Sequence, residues 1–147
     1  MIKIIAIGKN INFLKNAELE YETRIKHFTK LEIIELKEDK SKTPKEIMLK
    51  EAKKIKDVIK GQKYIALEIE GQTPTTEKFT DIIKNNTEKN TIFVIGGAYG
   101  LDDEIKNKAN KLISLSKMTF THQIARILLL EQIYRAQTII NNRNYHK

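Results

Sequence analysis

Short apolar runs that stop at glycine alternate with amphipathic stretches along the whole chain, and this alternation limits the folds available. "IKIIAIG" (2–8) is β-branched, too short for a helix interior and closed by Gly8. "LEIIEL" (31–36), "YIALEIE" (64–70), "TIFVIGG" (91–97) and "KLISLS" (111–116) repeat the pattern. Between them lie helical stretches. Residues 11–28 carry Ile11, Leu14, Leu19, Ile25 and Phe28 among charges. Thr43 and Pro44 open a second helix as N-cap and first helical residue, and it runs to Lys60 and stops at Gly61. Shorter helices follow near 76–86 and 102–110, and a long one covers 121–140. Strand–helix alternation of this kind predicts an α/β fold: a mostly parallel sheet of five to six strands with helices on both faces.

At 147 residues the chain is expected to form a single domain, 1–147, with a sizeable core. No apolar run approaches the roughly 18 residues of a membrane span, and "MIKIIAIGKN" reads as a strand, not a signal peptide. There is no cysteine, which removes disulfides and thiolate metal sites and suits a cytoplasmic protein. His27, His122 and His146 do not share metal-ligand spacing, so no metal is expected. The net charge is +8. Residues 37–63 hold ten lysines against five acids, a phosphate-facing patch or a solvated helix.

In parallel sheets ligands bind beyond the carboxyl ends of strands. The loops "LEIEG", "IGGAYG" and "SLSKMTF" are therefore the ones to examine. Gly96, Gly97 and Gly100 follow a buried strand, but their spacing is wrong for a dinucleotide fingerprint and no Walker loop exists. No G-x-S-x-G elbow is present, so Ser114 and Ser116 are poor nucleophiles. Asp102 and Asp103 read as the capped start of a helix. In helix 121–140, Ile124, Ile127, Leu128, Leu129, Leu130 and Ile133 point nearly all round. That perimeter predicts burial on several sides and a homodimer interface. Glu131 and Arg135 are spaced to pair with each other, or Arg135 reaches an anionic substrate.

"LEIEG", "VIGGAYGL", "SLSKMTFTHQ", "EQIYRA" and "NYHK", in this order and spacing, resemble one family. It is the RlmH family of 23S rRNA pseudouridine methyltransferases, in the trefoil-knotted SPOUT class. The resemblance spans the whole chain. It implies a C-terminal trefoil knot, a feature very rare in proteins, and S-adenosylmethionine as cofactor. Carried over by motif, the cofactor binders are Leu67, Gly96, Leu115, Ser116, Lys117, Met118, Thr119 and Phe120. The implied substrate is N3 of a pseudouridine in a 23S rRNA stem-loop on the assembled ribosome, and the implied assembly is a homodimer. Arg135 and His122, with Tyr145, His146 and Lys147 in the tail, are the catalytic candidates. A cation stabilises the anionic ring, a histidine can accept the proton and an aromatic tail can stack on the base; the resemblance does not divide these roles among them. The sequence departs from the family pattern at Thr121, usually proline, and at Gln72, often lysine. Two other readings are a SPOUT enzyme acting at another rRNA or tRNA position and a non-catalytic RNA-binding assembly factor.

Overall fold

A computed structural model describes residues 1–86 and 90–147. Its elements follow the expected order: β1 (Ile2–Ile7), α1 (Asn12–Lys26), β2 (Leu31–Leu36), α2 (Pro44–Ile59), β3 (Ile65–Gln72), α3 (Thr76–Lys84), β4 (Thr91–Ile95), α4 (Asp103–Lys108), β5 (Lys111–Ile113) and α5 (His122–Ile140). All five strands lie in one sheet in the order β2-β1-β4-β3-β5, and every pairing is parallel.

Successive side chains on a strand point to opposite faces, and the strand sequences supply both. Ile2, Ile4, Ala6, Phe93, Ile95 and Ile113 meet α1, α3 and α5 on one face. Ile5, Ile7, Ala66, Ile92 and Val94 meet α2 and α4 on the other. Continuous apolar runs are thus required, because neither face is solvated. The helix starts are set locally. The Thr43 hydroxyl accepts from the Glu46 N–H at 3.2 Å, and the Asp102 carboxylate accepts from the Glu104 N–H at 2.9 Å. Helix α2 ends one residue before expectation, at Ile59, because Lys60 takes a left-handed conformation (φ +50°) ahead of Gly61.

Four strands differ from their expected bounds: β1 and β4 stop at Ile7 and Ile95, short of the glycines that follow, and β3 and β5 differ for reasons of their own. β5 stops at Ile113, three residues early, because the Ser114 hydroxyl donates to the Ser116 carbonyl at 2.6 Å and turns the chain. β3 runs on to Gln72 through a bulge, with both Leu67 and Gln72 pairing to Ile113. The Ser114 N–H donates to the Gln72 carbonyl at 2.8 Å. Gly71 then lies flat on the β5 backbone, where a Cβ would come within 2.6 Å of the Leu112 carbonyl carbon.

Helix α5 lies against the helices on either side of it, α1 and α3, and packs onto the sheet. It buries Leu129, Leu130, Ile133 and Ala136 completely, each larger side chain contributing about 1.5–3 kcal/mol. The single chain therefore buries much of the apolar perimeter itself. Ile124, Ile127 and Leu128 remain half-buried on the open side. No described helix is long and apolar enough to cross a membrane.

Candidate active site

At the carboxyl end of the sheet the loops after β3, β4 and β5 enclose a cleft of about 630 Å³, the size of a small-ligand site. Leu67, Ile95 and Ile113 form its apolar floor, Gly96 and Gly97 one side, and the loop from Ser114 to Thr121 another. His122 and Gln123 close it from the first turn of α5.

Each wall has a local cause. Gly100 takes φ +82° and its N–H donates to the Gly97 carbonyl at 3.0 Å, so 97–100 is a tight turn. A Cβ on Gly96 would stand 2.7 Å from the Gly100 carbonyl carbon and 2.8 Å from its oxygen. The protein's own turn therefore demands glycine at position 96. In the next loop the Ser116 hydroxyl accepts from the Met118 N–H at 3.0 Å and holds the bend. Among the described residues, the backbone groups of Leu115, Lys117, Thr119 and Phe120 take no hydrogen-bond partner. Thr121 then caps α5, its hydroxyl accepting from the Ile124 N–H at 3.4 Å. The loop thus offers free backbone donors and acceptors beside an apolar wall. That donor set fits an adenine ring and an amino-acid moiety, so the residues present suit S-adenosylmethionine.

Of the residues expected to bind cofactor, Leu67, Gly96, Leu115, Ser116, Met118, Thr119 and Phe120 line the cleft, and so does His122. Lys117 sits in the same loop with its side chain exposed, outside the lining. Met118 and Phe120 are also well exposed for apolar residues. Arg135, Tyr145 and His146 gather elsewhere, on the C-terminal half of α5. The Arg135 Nε donates to Glu131 at 3.1 Å, the mutual pair the spacing allowed. The Arg135 guanidinium lies 4.8 Å from the Tyr145 ring centre, and the Tyr145 hydroxyl donates to Glu131 at 3.2 Å. Tyr145 meets Tyr134 edge-on with centroids 4.7 Å apart. Burial is the main force lifting the Tyr145 phenol, up to about 12. His146 Nδ1 lies 3.3 Å from Arg135 Nη1. Within one chain these residues form a docked tail, separate from the cleft.

Three groups near the cleft escaped the sequence reading. Arg126, one turn beyond His122, is wholly buried. Its Nη1 donates to Glu35 at 2.6 Å and to Glu18 at 3.3 Å, and Nη2 donates to the Gly8 carbonyl at 2.7 Å. Burial raises the Glu18 carboxyl, and Arg126 works against that rise. Glu38, beyond β2, comes within 3.2 Å of His122 Nε2. Glu51, buried on α2, accepts from the Asp39 N–H at 3.1 Å and underlies Gly97. Among the described residues, no group of three or more His, Cys, Asp and Glu is placed to hold a metal.

A family model described as "Predicted SPOUT methyltransferase" matches residues 1–146. The chain is 43% identical over 154 residues to the ribosomal RNA large subunit methyltransferase H of Caldicellulosiruptor saccharolyticus, covering 100% of each. It is 42% identical over 158 residues to the protein of the same name from Malacoplasma penetrans, covering 99% of each. Among solved structures, a probable methylase family protein from Haemophilus influenzae aligns with a TM-score of 0.63 and 12% identity, over 99% of this chain and 70% of that one. A probable methyltransferase from Bordetella pertussis aligns at 0.56 and 8%, over 92% and 93%. At such low identities these two likenesses show the fold alone. The full-length family match and the relatives above 40% identity show more: the chain belongs to the SPOUT methyltransferase family, in the group named ribosomal RNA large subunit methyltransferase H.

Proposed function

We propose that this chain methylates N3 of a pseudouridine in a large-subunit rRNA stem-loop, on the assembled ribosome, with S-adenosylmethionine as donor. The observation that carries the reading is the cleft. A loop of unpaired backbone groups faces an apolar floor, at the carboxyl end of the sheet, in a chain of this family.

When bound, the cofactor supplies an electrophilic methyl group on a sulfonium. The chain supplies position. Leu67 and Gly96 pack against the cofactor, and the backbone from Leu115 to Phe120, Lys117 included, holds its polar edges. Methyl transfer is an in-line displacement that gains most from alignment. The ring N3 must lose a proton, and His122 lines the cleft where it takes that proton. Arg135, Tyr145 and His146 act from the second subunit of a homodimer, Arg135 as the cation for the anionic ring and Tyr145 or His146 as a stacking platform. The half-buried Ile124, Ile127 and Leu128 of α5 support that dimer, because they leave an apolar strip beside the cleft. The trefoil knot belongs to the same reading, threading the chain after β4 through the loops that enclose the cofactor.

Mass spectrometry of rRNA from a deletion strain tests the assignment. Loss of one methyl group from a large-subunit pseudouridine is the expected result. Loss at another rRNA or tRNA position overturns it. Titration calorimetry with S-adenosylmethionine separates an enzyme from a non-catalytic assembly factor, which would give no heat.

A further inference from the structure

The connection between β2 and α2 is held in place on both sides of one residue. Lys54 Nζ donates to the Lys37 carbonyl at 2.7 Å, and Glu51 accepts from the Asp39 N–H at 3.1 Å. The Gly8 N–H donates to the Leu36 carbonyl at 2.8 Å. Between these ties Glu38 crosses the end of β1. Its Oε1 lies 3.2 Å from His122 Nε2. Gly8 makes the crossing possible: a Cβ there would stand 2.4 Å from Glu38 Oε1 and 3.1 Å from His122 Nε2.

His122 Nε2 is buried and without an aligned hydrogen bond. Nδ1 is the other ring nitrogen, on a residue that lines the cleft. Loose alignment of this kind is common in acid–base pairs before substrate binds. We propose that Glu38 is a positioning residue for His122: its carboxylate keeps the proton on Nε2, and so leaves Nδ1 as the lone pair that takes the N3 proton. This rests on the methyl-transfer reading above. As N3 gives its proton to Nδ1, its electron pair forms the bond to the methyl carbon. The carbon–sulfur electrons leave with sulfur. The imidazolium then carries a proton on each nitrogen and sits against the Glu38 carboxylate.

The charges around the ring agree with this. Burial lowers the imidazole pKa below its ordinary value, Glu38 draws it back up, and Arg126 adds to the lowering. Glu18 of α1 and Glu35 of β2 in turn engage Arg126, so Glu38 is the carboxylate that faces the ring directly.

Long-range ¹H–¹⁵N correlation of the imidazole, recorded on the enzyme alone, reads the tautomer without turnover. The expected wild-type result is a single Nε2–H form. Glu38→Gln should give mixed tautomers and a lower His122 pKa, and Glu38→Asp an intermediate state. In single-turnover transfer to ribosomes, Glu38→Gln should lower the rate by about 10- to 100-fold and move the acid limb of the pH profile to lower pH. Cofactor affinity should be unchanged. An unaltered tautomer in Glu38→Gln overturns the proposal, and so does a rate loss accounted for by weaker cofactor binding. A wild type with the Glu38-dependent tautomer that methylates no pseudouridine overturns the substrate reading, not the pairing.

Discussion

Arg126 and Glu35 meet at 2.6 Å, with the guanidinium wholly enclosed. The contact joins the first turns of α5 to β2, and through the Gly8 carbonyl to β1. Removing one partner of a buried ion pair leaves an uncompensated charge and costs about 3–5 kcal/mol. Arg126→Met should destabilise the protein by that order in urea unfolding. Adding Glu18→Gln and Glu35→Gln to that variant should recover part of the loss, since the stranded carboxylates are then gone.

Gly96→Ala should lower thermal stability even without cofactor. Its Cβ meets the Gly100 backbone, which cannot rotate away. Overpacking of this kind costs about 1–3 kcal/mol. A melt of the cofactor-free protein checks this, and calorimetry should show cofactor affinity falling in the same variant.

Deleting Tyr145 to Lys147 should have two effects of different size. Tyr145 packs on Tyr134 and Arg135, so its loss should cost on the order of 1 kcal/mol. Methyl transfer at saturating cofactor should fall by about 100-fold, equivalent to roughly 2.7 kcal/mol of transition-state stabilisation. Single-turnover rates beside urea midpoints separate the two. A truncated enzyme that turns over like the full chain would return the catalytic burden to His122 and Arg135.

Sedimentation at micromolar concentration should show about twice the 17.1 kDa chain mass. Ile127→Glu on the open side of α5 should shift the protein toward monomer. Retention of full activity by that monomer would refute a site shared between subunits.

Glu51→Gln should stabilise the protein at neutral pH. Burial raises the Glu51 carboxyl above its ordinary value. A raised carboxyl favours the folded state only while protonated: that contribution is full below the unfolded pKa and lost as pH rises through the folded one. Glutamine still accepts from the Asp39 N–H and carries no charge. The variant's advantage should appear at about pH 7.5 and vanish at about pH 3.5, read as urea midpoints.

The sheet was legible because both faces of the central strands β1 and β4 are apolar, as Ile4 and Ile5 show by entering opposite cores. Local chemistry announced the helix starts at Thr43-Pro44 and Asp102. The cleft loops were legible from their place after β3, β4 and β5. Arg126 was not. In sequence it is one cation in an apolar helix, and its partners Glu18 and Glu35 lie 108 and 91 residues away. Glu38 was hidden within a lysine-rich run, where its charge reads as surface. Gly8 marked a strand end, and only the fold shows that its missing side chain lets Glu38 reach His122. The all-round apolar character of α5 pointed to a second subunit, yet α1 and α3 account for much of that burial.

Ile113 pairs with β3 at both Leu67 and Gln72, on either side of the bulge. The bulge that walls the cleft is stitched to the sheet at each end. Ties at both ends favour a wall whose shape is set before a ligand arrives.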